Sequence, residues 1–431
     1  MAQKWDIVII GGGLAGYVAA NYLAKSKLSI LLLEKGNKSG GRARTNIVKN
    51  HYFNFGPHAL YKKGKATSIL EELNIKLSGR SPKLGGYLVE NDQKYAAPFT
   101  PLSLFSTQFL HGKQRLEWTA VLLKVISTDP KTLKEYTFEQ WVKQSTPSEK
   151  VQSLLFLLSR LATYCHAPER VSAKMMVTQI KSVMNGVVYI DGGWQTIIDQ
   201  LHNKAVIGGI TIQTHTMVKE IHPLERENFQ LILSSNEAIN SRYVLSTVGP
   251  KELSQMIIKN EPSPQIDAFN HIPSIQGASL DVALTHLPNP NLLFAMGITE
   301  PYYYSVHSHY ARLSKDKNST VLHVFKYFHP DGQIDTKLVK NELQNFLEKI
   351  QPGWRKHEIA SRFIPKITVN QRLPQIDDEK RFLRSETDIE GLYIAGDWTS
   401  SDHILANAAV YTGKKAAEEM IQKERSDGCA N

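Results

Sequence analysis

Cysteine is nearly absent from this chain of 431 residues, which contains only Cys165 and Cys429. Two cysteines so far apart in the sequence make neither a disulfide framework nor a metal site. Long hydrophobic runs are missing as well, since no stretch reaches the roughly 18 uninterrupted apolar residues of a membrane span. An apolar strand begins at Trp5 without the basic, apolar and cleavage regions of a secretory signal. We therefore expect a cytoplasmic protein.

Clustered charge is also scarce, although lysine and arginine (51) outnumber aspartate and glutamate (41) and give a net charge of +10. The densest basic cluster, Lys62-Lys63-Gly64-Lys65, is short, so the sequence does not predict nucleic-acid binding. A solvated basic surface explains the charge, with weak attraction to anionic lipid or to an acidic substrate as the alternative. The hydrophobic content of 42% and the charged content of 21% are ordinary for a globular protein of two or three domains.

The first segment of the chain has the pattern of a βαβ unit. It predicts a buried strand over Trp5 to Ile10, a helix over Leu14 to Lys25, and a second, parallel strand over Ser29 to Glu34. Between the first strand and the helix lies Gly11-Gly12-Gly13-Leu14-Ala15-Gly16. This is the dinucleotide-binding fingerprint in its expected context.

Each part of the fingerprint has a physical task. Gly11 allows a sharp turn, Gly13 lets the backbone approach a pyrophosphate, and Gly16 lets the helix pack closely on the strand. The helix N-terminus offers unpaired N–H groups to the phosphates. Glu34 should accept hydrogen bonds from an adenosine ribose and would repel a 2′-phosphate. The unit therefore predicts that the chain binds a dinucleotide.

Further signals divide the rest of the chain. They are a capping box at residues 137–140, a helix over 148–165, a strand and glycine turn at 189–194, short strands between 210 and 247, a helix over 337–350, a strand over 391–397 and a helix over 404–423. Nucleotide chemistry at both ends requires that the ends meet in space. We predict an α/β protein with a doubly wound, Rossmann-like domain formed by residues 1–80, 186–250 and 371–431. A mixed sheet-and-helix substrate domain, residues 81–185 and 251–370, is interleaved with it.

Several motifs spread over the chain resemble the flavin-binding signatures of one superfamily. That superfamily contains the flavin amine oxidases, the protoporphyrinogen oxidases and the phytoene desaturases. The motifs are Gly40-Gly41-Arg42-Ala43-Arg44-Thr45, Phe53-Asn54-Phe55-Gly56-Pro57-His58, Tyr189-Ile190-Asp191-Gly192-Gly193-Trp194, Ala395-Gly396-Asp397-Trp398-Thr399 and Ala408-Ala409-Val410-Tyr411-Thr412-Gly413.

The resemblance implies FAD as the cofactor. Arg42 and Arg44 lie where the family places a cation near the pyrophosphate, and the backbone of Val218 would meet the adenine. Asp397 would bond to the ribityl or pyrophosphate groups. The N-terminus of the closing helix, residues 403–406, would stabilise negative charge on the reduced flavin. The expected cofactor-binding residues are Gly11, Gly13, Leu14, Ala15, Gly16, Glu34, Lys35, Gly41, Arg42, Arg44, Gly56, Pro57, His58, Val218, Gly396, Asp397, Ile404 and Leu405.

The sequence also departs from family patterns. Residues 399–407 contain no cysteine for covalent attachment, so we expect noncovalent FAD. Asn407-Ala408-Ala409 replaces the usual Glu-Gly-Ala, which puts an alanine where the backbone approaches the flavin ring. The strand expected over residues 277–284 lacks the lysine that amine oxidases hold near flavin N5, which favours the desaturase branch.

Catalytic residues cannot be assigned from the sequence. His307, His309, His323 and His329 surround a run of three tyrosines and could supply a base near the flavin. Their spacing matches no metal-ligand signature, and polar packing is the favoured interpretation. Cys165-His166 is no nucleophile–base pair, since neighbouring residues on a helix point in different directions.

We therefore expect hydride transfer between a C–H bond of a small, lipophilic substrate and flavin N5. The alternatives are a flavin amine oxidase, a protoporphyrinogen-oxidase-like enzyme and, in another class, a non-catalytic flavin-binding protein. Apolar segments between residues 98 and 165 would admit the substrate. Basic residues lie among these segments: Lys113, Arg115 and Lys124. They allow two interpretations of the segments, which are peripheral contact with the inner face of a membrane and plain packing in the core. The sequence predicts neither the electron acceptor nor the oligomeric state.

Overall fold

The computed structural model describes residues 4–225, 228–258, 261–376, 378, 382 and 384–429. The strands are β1 (Lys4–Ile10), β2 (Ile30–Leu33), β3 (Thr45–Val48), β4 (His51–Asn54), β5 (Leu60–Tyr61), β6 (Gly79–Arg80), β7 (Tyr87–Glu90), β8 (Gln93–Ala96), β9 (Val187–Ile190), β10 (Thr211–Gln213), β11 (Val218–Leu224), β12 (Asn228–Leu233), β13 (Ala238–Ser246), β14 (Ile275–Leu284), β15 (Phe294–Gly297), β16 (Tyr302–Ser305), β17 (Thr320–Tyr327), β18 (Glu358–Asn370) and β19 (Leu392–Ile394). The helices are α1 (Leu14–Leu23), α2 (Lys65–Glu72), α3 (Pro101–Ser106), α4 (Gly112–Ser127), α5 (Phe138–Ser145), α6 (Glu149–Thr163), α7 (Ala173–Met184), α8 (Gln195–Ile207), α9 (Pro250–Met256), α10 (Pro264–Ala268), α11 (Thr336–Ile350) and α12 (Leu405–Cys429).

The first sheet has a parallel core in the order β10-β2-β1-β13-β19. Strands β2 and β19 and the carboxyl halves of β1 and β13 are buried on both faces because apolar residues run almost continuously along them, whereas the edge strand β10 is exposed. In β1, Ile7 and Ile9 pack with α1, α8 and α12, while Val8 and Ile10 pack on the opposite face with α9 and α10. The antiparallel hairpin of β11 and β12 extends the sheet from the other half of β13. The doubly wound α/β fold predicted from the sequence is confirmed.

The second sheet is mixed, with the order β18-β14-β17-β16-β15-β7-β8. One of its faces is covered by α11, whose Leu343 and Phe346 pack on Val282 and Val324. The other face packs against the helical region, where Trp118 and Leu154 share a core with Phe325. Two layers of apolar side chains therefore cover this sheet, and its position fixes one wall of the site described below.

The strands of the first sheet lie within residues 1–80, 186–250 and 371–431, and those of the second lie within 81–185 and 251–370. The division into domains stays a prediction, and the packing of the segment after residue 250 bears on it. Leu253, Ile266 and Phe269, on and just after α9 and α10, pack into the core of the first sheet. Because their apolar side chains are buried there, we propose a boundary beyond Phe269.

Candidate functional site

A cavity of about 680 Å³ opens at the carboxyl ends of the parallel strands and extends to the second sheet. The carboxyl edge of an open α/β sheet is where ligands bind in such folds. Sixteen of the eighteen residues predicted to bind the cofactor line this cavity. The two exceptions are Gly16 and Ile404. Ile404 is fully buried in the core beneath the second sheet, and its role in cofactor binding stays a prediction.

The glycine loop has the geometry expected of it. Gly11 has φ of 108°, and a Cβ there would lie 2.5 Å from Oγ1 of Thr247. A Cβ on Gly16 would lie 2.0 Å from the carbonyl oxygen of Gly11, so only glycine allows α1 to pack this closely on β1. A Cβ on Gly13 would meet nothing within 4 Å. Gly13 and the uncapped N-terminus of α1 therefore face open space in the cavity.

Glu34 follows β2 and accepts two backbone hydrogen bonds. Gly12 N–H donates to Oε2 at 2.8 Å, and Gly36 N–H donates to Oε1 at 2.7 Å. The carboxylate is held at the cavity wall by these bonds and keeps lone pairs for a ligand. Lys35 beside it pairs with Glu252 at 2.5 Å, and both residues line the cavity.

Arg42 and Asp397 form a two-pronged ion pair, which the sequence did not predict although it placed both residues at the cofactor. The guanidinium donates to Oδ2 at 2.5 Å and to Oδ1 at 2.7 Å, and also to the carbonyl oxygen of Val369 at 2.9 Å. Gln371 N–H adds a third bond to the carboxylate, at 2.9 Å. Asp397 is buried whereas the Arg42 side chain is 37% exposed, because it faces the open cavity. The pair joins residues 355 positions apart and fixes the contact of the two chain ends.

Arg44 and His58 present polar atoms in a buried wall. Nε of Arg44 is buried without a partner among the described residues, and its guanidinium lies over the ring of Phe55 at 5.6 Å. The Nδ1 atom of His58 lies 2.9 Å from the carbonyl oxygen of Gly56, and its ring packs edge-on against Trp194. Burial lowers the pKa of His58 to about 4, so the ring is neutral at pH 7.

The closing helix α12 begins at the cavity. Leu405 lines it with a left-handed φ of 56°, which is costly for a residue other than glycine. Its N–H donates to Oδ1 of Asn370 at 2.8 Å, which holds this conformation. Oδ1 of Asn407 accepts from Ala66 N–H at 2.9 Å and ties α12 to α2. Ala408, where the family pattern has glycine, is buried and does not line the cavity, so its methyl group takes no space there.

Other cavity residues were not predicted. The turn at Thr247, Val248 and Gly249 follows β13, and the rule that ligands bind where parallel strands end could have found it. On the side of the second sheet the wall is aromatic and apolar. It comprises Phe99, Leu161, Tyr164, Tyr189, Phe294, Tyr303, Phe325, Tyr327 and Ile367. Lys366, an exposed residue at an irregular step of β18, also lines the cavity. These contacts join distant segments and leave no local signal.

The residues present fit FAD. Open space before Gly13 and the uncapped helix N-terminus suit a pyrophosphate, and the unpartnered Nε of Arg44 offers a further donor. Among the residues the structure describes, no three His, Cys, Asp or Glu side chains group to hold a metal ion. Within the same ranges, no helix is long and apolar enough to cross a membrane.

Comparison with known proteins gives the family. The model of flavin containing amine oxidoreductases matches residues 14–421. A probable flavin-containing monoamine oxidase A of Dictyostelium discoideum is 36% identical over 77 residues, which cover 18% of this chain and 17% of that protein. The 15-cis-phytoene desaturase of Narcissus pseudonarcissus is 20% identical over 97% of this chain and 79% of its own length. An oxidoreductase from Methanosarcina mazei has the same fold, with a TM-score of 0.76, 16% identity, and coverage of 97% of this chain and 100% of its own.

The chain belongs to the family of flavin containing amine oxidoreductases, which are FAD-dependent enzymes. The superfamily resemblance and the expected cofactor, FAD, are therefore confirmed. Its noncovalent attachment stays a prediction. The relatives span amine oxidases and desaturases, so the family does not specify the substrate.

Proposed function

We propose that the protein removes a hydride from a C–H bond of a largely apolar small molecule and passes it to FAD, or catalyses the reverse reaction. The observation that carries the proposal is the distribution of side chains around the cavity. The acids that line it, Glu34, Glu252 and Asp397, lie by the glycine loop, whereas the wall on the second sheet is aromatic and aliphatic. A wall made mostly of aromatic and aliphatic side chains favours a largely apolar substrate.

In this proposal the two ends of the cavity have separate tasks. The N-terminus of α1 and Arg44 would hold the pyrophosphate, Glu34 would hold the ribose, and the Arg42–Asp397 pair would orient the groups between them. The N-terminus of α12 would favour negative charge on the flavin ring. FAD supplies the hydride acceptor, and the protein supplies placement and exclusion of water.

An outward apolar surface suggests how such a substrate arrives. Leu102 and Phe105 on α3 are 81% and 73% exposed, and Leu116 and Leu123 on α4 are 75% and 61% exposed. Exposed Lys113 and Lys124 flank them. We infer that this α3–α4 surface contacts an anionic bilayer, because apolar tips beside lysines suit its interface.

The neighbouring charges support the same inference. The only acid of α4, Glu117, accepts a bond from Ser148 N–H at 3.2 Å and so points inward. Arg115 donates to the carbonyl oxygens of Leu110 and Thr107 and has a structural role instead. On α6, Leu154 and Leu157 are core residues, so only part of the predicted apolar region is available to a membrane.

Amine oxidation is the second candidate. Tyr164, Tyr189, Tyr303 and Tyr327 line the cavity, and aromatic faces attract cations. Although β14 has no lysine, Lys366 on the adjacent β18 lines the cavity.

An anaerobic screen separates the candidates. Isoprenoids, porphyrinogens and small amines would each be mixed with the FAD-loaded protein, and bleaching of the flavin absorbance would be recorded. Bleaching by apolar compounds supports hydride removal from a lipophilic substrate. Bleaching by small hydrophilic amines alone would replace that proposal with amine oxidation.

A further inference from the structure

A chain of buried polar side chains leads from the cavity wall into the second sheet. Asp281 on β14 lies opposite His323 on β17, and His323 lies opposite Ser305 on β16. Asp281 and His323 are fully buried, and His307 is 1% exposed. Tyr303 and Ser305 line the cavity, so the chain starts at the proposed substrate compartment.

The inner end of the chain is a buried carboxylate with its partners in place. Nδ1 of His323 lies 2.7 Å from Oδ1 of Asp281, and Ser279 Oγ donates to the same oxygen at 2.7 Å. Arg362 donates to Oδ2 from Nε at 3.0 Å and from a terminal nitrogen at 2.5 Å. Burial alone would raise the pKa of Asp281, but His323, Arg362 and these hydrogen bonds lower it below its usual range. Asp281 is therefore ionised, and the nitrogen of His323 that faces it carries a proton.

The outer end is a histidine that contacts two tyrosines. Nε2 of His307 lies 3.1 Å from the hydroxyl of Tyr303, and its ring stacks on Tyr189 at 3.9 Å. Burial, followed by the proximity of His323 and His58, lowers the pKa of His307 well below its ordinary value. His307 is thus neutral and can accept a hydrogen bond from Tyr303.

One hydrogen bond is missing from the chain, between the two histidines. Nδ1 of His307 and Nε2 of His323 are both buried and lack a hydrogen-bond partner among the described residues. The two rings meet edge to face with centroids 4.5 Å apart. Buried polar atoms without partners are uncommon in folded proteins, and a small rotation of either ring would satisfy both of these atoms at once.

We propose that Tyr303, His307, His323 and Asp281 form a relay that takes one proton from the substrate in the cavity and stores it on His323. This inference rests on the proposed function, in which the hydride goes to FAD and the substrate also loses a proton. The substrate gives its proton to the Tyr303 oxygen as the Tyr303 proton moves to Nε2 of His307. The Nδ1 proton of His307 moves to Nε2 of His323, and the resulting imidazolium pairs with Asp281. Each bond formed to hydrogen replaces one broken, and one proton has moved inward.

The test begins with the tautomers in the FAD-loaded protein. Nitrogen-15 labelling of histidine and NMR at pH 7 should show that His307 and His323 both carry their single proton on Nδ1. Tyr303→Phe and His323→Asn assign the two signals, since asparagine keeps a donor toward Asp281 but has no Nε2 to accept a proton. A His307 proton on Nε2 would overturn the relay, because Tyr303 could then not donate to it. The NMR measurement needs no substrate, so its result is independent of the outcome of the substrate screen.

The second test measures the rate of flavin reduction by a substrate that bleaches the flavin. Tyr303→Phe should slow flavin reduction by about 10²–10⁴-fold, the usual range for proton transfer by a positioned side chain. Tyr304→Phe is the matched control: this neighbouring tyrosine is equally buried but bonds to the Leu292 carbonyl and Gln351, outside the cavity. It should leave the rate unchanged. Equal rates for Tyr303→Phe and the wild type would contradict the relay while leaving hydride transfer intact.

Discussion

At the scale of single residues, the Arg42–Asp397 ion pair matters most because it is partly buried and lies at the proposed cofactor site. The carboxylate is buried and receives donors from a side chain and from the backbone of Gln371. An amide at this position has only one acceptor oxygen, so at least one donor loses its partner. The partly exposed Arg42 reduces the electrostatic part of that loss.

We expect Asp397→Asn to lower the free energy of unfolding of the FAD-free protein by about 1–3 kcal/mol, the cost of an unsatisfied buried group. Asp402→Asn is the control, because Asp402 makes an ion pair of 3.0 Å with Lys174 but is 63% exposed. Urea unfolding of both variants measures the difference. Equal losses would show that the buried pair has no special importance.

Glu34 gives the second prediction at this scale. Glu34→Gln should weaken FAD binding by about 1.5–3 kcal/mol, because a neutral amide replaces a charge-assisted acceptor. The loop should persist, since the amide oxygen still accepts from one of the two backbone N–H groups. Titration of the apoprotein with FAD measures the affinity, and Glu139→Gln on the outer face of α5 is the control. Unchanged affinity would mean that the ribose lies elsewhere.

At the scale of elements, local patterns predicted most of the structure. The helix predicted over 14–25 is α1 (Leu14–Leu23), and the capping box at Thr137 and Gln140 is present with both of its hydrogen bonds. These signals depend on neighbours within one or two turns. The pairing of β14 with β17 and β18 has no such signal, and it is this pairing that brings Asp281, His323 and Arg362 together. Contacts of that kind are set by sheet register, which one sequence does not reveal.

The α3–α4 surface supplies a prediction for an element. The double variant Leu116→Ser, Leu123→Ser should abolish sedimentation with anionic vesicles at low salt, because it removes the apolar tips that enter the interface. Its free energy of unfolding should change little, since both side chains are largely exposed. Ile207→Ser is the control, because Ile207 on α8 is also an exposed apolar residue, with 86% of its surface accessible. A wild-type protein that stays in the supernatant would contradict the membrane contact.

At the scale of the whole molecule, buried neutral histidines couple stability to pH. Burial lowers the pKa of His58 and of His166 to about 4 from an ordinary value near 6.5. The unfolded chain therefore binds protons that the folded chain does not as the pH falls from about 6.5 toward about 4. The free energy of unfolding therefore has its full value above about pH 6.5. It declines as the pH falls toward about 4, by about 1.4 kcal/mol per pH unit for each proton taken up.

We expect the free energy of unfolding of the apoprotein to fall steadily between about pH 6.5 and pH 4. His166 lies outside the cavity. His166→Gln should lower the number of protons taken up on unfolding by about one, because glutamine does not titrate. Urea unfolding at several pH values gives the slope as proton uptake. A slope identical in the variant and the wild type would mean that His166 is protonated in the folded protein.

The cofactor itself gives a prediction that involves both sheets, because both contribute walls to one cavity. The described part of the chain offers no cysteine there: Cys165 does not line the cavity, and burial raises the pKa of its thiol to about 12, which leaves it unreactive. The purified protein should therefore be yellow, and acid or heat should release intact FAD into the supernatant. Added FAD should then raise the unfolding temperature of the apoprotein, since a ligand that binds only the folded state stabilises it. Flavin that precipitates with the protein would establish a covalent link, and a colourless protein that FAD does not stabilise would contradict the binding site.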